Sequence, residues 1–261
     1  MCNFCTKFLE KCAFFIFTTW KNVQINAIFF RKNVVFLSKQ PVRMVISLKR
    51  KAIQSLIEWK NSLDRKPLVL KGARQVGKTW LMKEFGKTHY KNYVYFNFDE
   101  EDALKSIFES NKNPQRIIDL LSFIADEKIV PNETLIIFDE IQECPNALNS
   151  LKYFKEKANT YHVIAAGSLL GTLLSQPKSY PVGMVNILNI YPLTFDEFLE
   201  ATEPTLSKYY SSIIKEQNIE EIFHNKLLDA YNYYLIVGGM PECVYSWITY
   251  KDPKKVSKIQ N

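Results

Sequence analysis

Lys78 and Thr79 close the run Gly72-Ala73-Arg74-Gln75-Val76-Gly77-Lys78-Thr79, which fits the pattern G-x-x-x-x-G-K-S/T. Asp139 and Glu140 stand side by side after the apolar run Thr134-Leu135-Ile136-Ile137-Phe138. These residue types suit polyphosphate chemistry. Gly72 and Gly77 let the main chain curl and approach an anion without a Cβ in the way, so that several N–H groups can point inward. Lys78 is a mobile point charge able to reach the outer phosphates, and the Thr79 hydroxyl is suited to ligate magnesium. Asp139 can hold the same ion, directly or through water. Glu140 can orient or deprotonate a water that attacks the terminal phosphate. The spacing therefore predicts a nucleoside triphosphate with Mg2+, surrounded by residues Gly72 to Thr79 and by Trp80.

The elements around these residues must place them at one edge. Residues 67–71 read as a strand feeding the loop. Residues 79–85 read as a helix with Leu81, Met82 and Phe85 on one face, its positive end aimed at the same place. A helix over 48–63, with Ile53, Leu56, Ile57 and Trp59 as its apolar side, comes before them. After them come a strand at 93–98, the acidic turn Asp99-Glu100-Glu101-Asp102, helices at 103–110 and 114–128, and the Asp-Glu strand. A helix at 145–158 and a strand at 161–166 then lead to Gly167-Ser168. Strands alternating with helices predict an α/β fold with a parallel sheet covered on both faces. Ser168, at the tip of the strand expected beside Asp139, suits a γ-phosphate sensor; capping a helix over 169–174 is the other reading. His162, mid-strand among apolar neighbours, reads as structural. Thr194 and Glu197 fit a capping box for a helix over 195–201.

A chain of 261 residues with 47% hydrophobic content can bury one α/β core and a small second domain. Its net charge of +7 suggests a nucleic-acid partner only until it is located: residues 1–43 hold seven basic residues against Glu10 alone, and the remainder is nearly neutral. Nucleic acid is therefore not indicated. Residues 1–43 show no clear period and read as an extension, unstructured or preceding the true start, with the body beginning near Met44. The short apolar run 12–20 lacks a cleavage pattern and cannot span a bilayer, so no membrane segment is expected. Cys2 and Cys5 form one half-site without further ligands nearby, and Cys144 and Cys243 lie alone. A reduced, cytoplasmic setting fits best.

The order of these motifs resembles the additional-strand P-loop ATPases of the AAA-like and STAND groups, and more narrowly the prokaryotic AAA-like ATPases that carry an uncharacterised C-terminal domain. The resemblance runs from about Met44 onward. It rests on the loop, Phe138-Asp139-Glu140-Ile141-Gln142, Ala166-Gly167-Ser168, Pro181-Val182-Gly183, Tyr191-Pro192-Leu193-Thr194-Phe195-Asp196-Glu197-Phe198 and Gly238-Gly239-Met240-Pro241. It implies a three-layer P-loop NTPase core over 44–203 and a helical lid over 204–261, with ATP and Mg2+ as cofactors. It also implies that Pro241 lies against the adenine; a simple break between helices is the alternative for that proline. ATP over GTP follows from the resemblance and from the lack of an N-K-x-D run.

Two departures stand out. Relatives tend to carry Arg or Lys directly after the glycine matching Gly183, whereas this chain has Met184. Relatives also continue beyond the lid, so the polar run 251–261 reads as a truncated end. ATP hydrolysis is the first expectation, and a nucleotide-gated interaction switch with negligible turnover is the second. A small-molecule kinase would share the loop but would not need the Asp-Glu and Gly-Ser strands. Lids of this kind often pack between subunits, so a homo-oligomer is expected as a partner, while nothing in the sequence names an effector or client.

Overall fold

Successive side chains of a strand point to opposite faces, and the buried strands of this chain sort their apolar residues accordingly. The computed structural model describes residues 48–100, 102–110, 112–167, 183–213 and 219–260, together with three earlier strands. Those strands, β1 (Phe15–Trp20), β2 (Val23–Phe30) and β3 (Asn33–Phe36), pair antiparallel in the order β1-β2-β3. They belong to a separate unit, Met1–Ser47, and their aromatic and β-branched content suits a strand.

The second unit, Leu48–Asn261, holds the alternating elements. They are α1 (Ala52–Asn61), β4 (Leu68–Lys71), α2 (Lys78–His89), β5 (Asn92–Asn97), α3 (Asp102–Ser110), α4 (Pro114–Ala125), β6 (Thr134–Asp139), α5 (Pro145–Lys157), β7 (His162–Gly167) and β8 (Asn186–Asn189). The sheet order is β5-β6-β7-β4-β8 with every pair parallel. β7 is thus inserted between the loop strand β4 and the Asp-Glu strand β6. This is the three-layer, additional-strand α/β architecture that the resemblance implies.

On one face Val69, Ile136, Phe138, Val163 and Ala165 pack with Phe108, Ile117, Leu151 and Phe154 of the helices α3 to α5. On the other, Leu68, Leu70, Leu135, Ile137, Ile164 and Ala166 pack with Leu56, Trp59, Leu81, Met82 and Phe85 of α1 and α2. β6 and β7 are buried along their whole length, so they read as continuous apolar runs, whereas β8 alternates as an edge strand does. α4 stops at Ala125 instead of near 128. Asp126 adopts a left-handed φ of 49°, its N–H bonds Phe123 O, and the chain turns away.

The C-terminal helices are α6 (Phe195–Thr202), α7 (Pro204–Ile213), α8 (Glu221–Val237), α9 (Pro241–Tyr250) and α10 (Pro253–Gln260); α6, α8, α9 and α10 pack around Leu193, Phe198, Val237, Val244, Trp247 and Val256. α6 begins with the expected capping box: Thr194 N–H donates to Glu197 Oε2 at 2.9 Å and Glu197 N–H to Thr194 Oγ1 at 3.4 Å. The helix expected over 169–174 lies outside the described residues.

His162 is buried at the start of β7, edge-on to Trp59, with Tyr90 Oη 2.7 Å from Nδ1 and Asn132 Oδ1 3.3 Å from Nε2. Burial, with Arg65 and Lys60 nearby, pushes its pKa down to about 4 from 6.5. The unfolded chain therefore takes up the proton first. Stability is full above about pH 6.5 and falls as pH drops toward 4, by up to about 1.4 kcal/mol per pH unit. Denaturant unfolding at pH 7 and pH 4.5 should show this loss, and His162→Gln should remove most of the difference between the two conditions. A variant with the wild-type pH dependence would assign the acid loss to other groups.

Candidate functional site

β4 delivers the chain to the carboxyl end of the sheet between β7 and β8, where the loop must reverse direction before α2. Gln75 (φ 64°) and Gly77 (φ 88°) take left-handed conformations, which curl the main chain ahead of the positive end of α2. At Gly72 the constraint is space, since a Cβ there would run into the carbonyl oxygen of Ile190.

Lys78 is only 7% exposed, and its Nζ donates to Gly72 O at 3.0 Å and Ala73 O at 2.7 Å. Burial lowers its pKa and Arg74 adds to that, while Glu140 and Asp139 oppose them. Thr79 Oγ1 donates to Asp139 Oδ2 at 2.6 Å, joining the loop to the end of β6. Tyr95 on β5 donates to the same oxygen at 3.0 Å, and the Glu140 N–H donates to Oδ1 at 3.1 Å. The buried Asp139 carboxylate is thus held by three donors. Burial first, then the Asp139 charge, pushes the Tyr95 phenol well above its usual range, so it stays protonated. Lys83 Nζ sits 3.5 Å from the Tyr95 ring centroid. Glu140 turns off the strand with φ 47°, and Gln142 Nε2 donates to its Oε2 at 2.6 Å.

A cleft of about 660 Å³ brings Arg74, Gln75, Gly77, Lys78, Thr79, Trp80, Glu140 and Pro241 together. Pro241 comes from the C-terminal helices, and a Cβ on Gly77 would lie 3.5 Å from its Cγ. Gly72 and Ala73 meet the site through their carbonyls, while the Val76 side chain is buried in the core. Ser168 lies outside the described residues, and Met184 is half-buried and does not line the cleft. The Thr79 hydroxyl and Asp139 carboxylate set two oxygens side by side, a donor set that would suit a hard cation. A second groove, of about 740 Å³, is lined by Phe198, Tyr209, Phe223, Tyr233 and Trp247 among others. Among the described residues, its lining holds no glycine loop and no buried cation.

Sequence reasoning did not assign Arg50, Tyr95 or Gln142. Tyr95 had a signal: it precedes the strand end by two, and β5 pairs Asn97 with Asp139, so Tyr95 shares the Asp139 face. Arg50 had none, because its contacts lie 26 and 141 residues away.

Residues 64–199 match a family model described as an AAA domain. The chain is 26% identical over 228 residues to the uncharacterised protein MJ1544 of Methanocaldococcus jannaschii, covering 87% of this chain and 46% of that protein. It therefore spans about half the length of the curated relative it matches. Among solved structures, the Walker-type ATPase PABY2304 of Pyrococcus abyssi superimposes with a TM-score of 0.51 at 16% identity, over 82% of this chain and 71% of that one. This second likeness is one of fold.

Gly72→Ala should lower stability by about 1–3 kcal/mol, the usual cost of forcing a methyl group against fixed atoms. Thermal melts without nucleotide measure it, and an unchanged midpoint would mean that the loop can move away from Ile190.

Proposed function

The chain belongs to the AAA-domain family, and on that footing we propose that it is a Mg2+-dependent ATP-binding protein of the AAA-like/STAND type that hydrolyses ATP. The observation that carries the reading is the 2.6 Å hydrogen bond from Thr79 to Asp139, which sets a loop hydroxyl and a strand carboxylate side by side next to Lys78 and Glu140. In this reading the loop N–H groups receive the phosphates, and Lys78 exchanges its two loop carbonyls for phosphate oxygens. Thr79 and Asp139 would hold Mg2+, which when bound neutralises charge on the β and γ oxygens. Tyr95 keeps Asp139 turned toward Thr79. Glu140 orients the attacking water and takes its proton, held in place by Gln142. Ser168, the residue after β7, serves as the γ-phosphate sensor, and Pro241 closes on the base beside Trp80.

A nucleotide-gated switch with negligible turnover is the second reading, and Met184 favours it, because an apolar side chain stands where relatives tend to carry a cation. Such a cation is worth on the order of 10³ to 10⁵ in rate. We also propose a cytoplasmic setting, in keeping with the free, buried thiols of Cys144 and Cys243, and self-association through the C-terminal helices. Among the described residues no helix is long and apolar enough to cross a membrane.

Phosphate release from the purified protein decides between hydrolysis and switching. Glu140→Gln should reduce release at least about 100-fold while MgATP still binds, as expected for loss of a general base. Lys78→Ala should abolish binding itself. Equal background release from wild type and Glu140→Gln, with tight MgATP binding in both, would select the switch.

A further inference from the structure

Arg50 lies just before α1, with its side chain 4% exposed, and makes three polar contacts behind the loop. Nη1 donates to Val76 O at 2.9 Å and Nη2 to Tyr191 O at 2.6 Å, while Nε lies 3.4 Å from Glu197 Oε1. Gly77 lines the cleft and Arg50 does not. The peptide unit between Val76 and Gly77 is planar and trans, so the Val76 carbonyl and the Gly77 N–H point in opposite directions. With the carbonyl turned onto the guanidinium, the N–H of the same unit is turned away from it. A charged donor on the carbonyl also polarises the unit and strengthens that N–H as a donor.

We infer that Arg50 is a positioning residue for phosphate binding, which fixes the Val76–Gly77 peptide so that the Gly77 N–H faces the cleft. The inference rests on the nucleotide reading of that cleft. Glu197 serves a different purpose, because its carboxylate already receives the Lys51 and Thr194 N–H groups, at 2.7 and 2.9 Å, and starts α6. Loss of the ion pair and loss of the loop contact can therefore be told apart.

Calorimetric titration with MgADP and MgATP, paired with melting temperatures measured without nucleotide, tests the assignment. The double variant Arg50→Met with Glu197→Gln removes both buried charges together and should bind each nucleotide about tenfold or more weakly, the loss expected for one charge-assisted hydrogen bond. Glu197→Gln alone should lower the melting temperature but keep the dissociation constants within about threefold, because the Arg50 bond to Val76 survives. Arg50→Lys should bind between wild type and the double variant, since one ammonium cannot serve Val76 and Tyr191 in the same fork. If the double variant does not fold, Arg50→Lys decides. Wild-type affinity in the Arg50 variants overturns the inference, as does a parallel loss of affinity and melting temperature in Glu197→Gln, which would leave Arg50 a structural role only. A well-folded wild type that binds neither nucleotide sinks the nucleotide reading itself, and the inference with it.

Discussion

A main chain that turns its N–H groups toward one point must turn its carbonyls outward, and every outward carbonyl that is buried needs a donor. The architecture around the loop meets this demand. Arg50 serves the carbonyl of Val76 and the Ile190 N–H donates to Lys71 O at 2.6 Å, while the carbonyls of Gly72 and Ala73, which face the site, are taken up by Lys78. Without such partners the concavity would relax toward an ordinary turn. The parallel sheet supplies one of them, since β8 beside β4 brings the Ile190 N–H to Lys71 at the start of the loop.

Charge follows the same logic. Among the described residues few acids or bases are buried, and those at the site are satisfied by the chain itself: Asp139 by three donors and Lys78 by two acceptors. Leaving one of them unpaired in the interior would cost several kcal/mol. The site is therefore a stable arrangement with contacts to exchange, not a set of bare charges awaiting neutralisation. The near-neutral body of the chain agrees with this, because the proposed phosphate site relies on a few placed groups and needs no general basic field.

The parts legible in the sequence are those governed by neighbours along the chain. The loop, the buried strands β6 and β7 and the capping box at Thr194 and Glu197 each depend on a few consecutive residues, and they lie where the pattern places them. Strand order was legible only through the order of the motifs, because nothing in β7 itself states that it lies between β4 and β6. The end of α4 was missed because Asp126 in a left-handed conformation is a matter of local turn geometry that period cannot show. Arg50 was out of reach for a different reason. Its partners Val76, Tyr191 and Glu197 are far apart in sequence, and a basic residue before a helix looks like any other until the chain has folded.

The Leu193 N–H donates to Gly239 O at 2.7 Å, and Tyr234 donates to Leu193 O at 2.8 Å. These bonds fasten the end of α8 to the segment that enters α6, two residues short of Pro241. A swing of α8 about this point has a fulcrum at one end of a lever roughly 25 Å long, from its 17 residues at 1.5 Å each. A rotation of about 10° then moves the tip near Glu221 by some 4 Å and Pro241 by only about 1 Å. If Pro241 packs over a base as proposed, a small adjustment there would correspond to a larger displacement at the far end of α8.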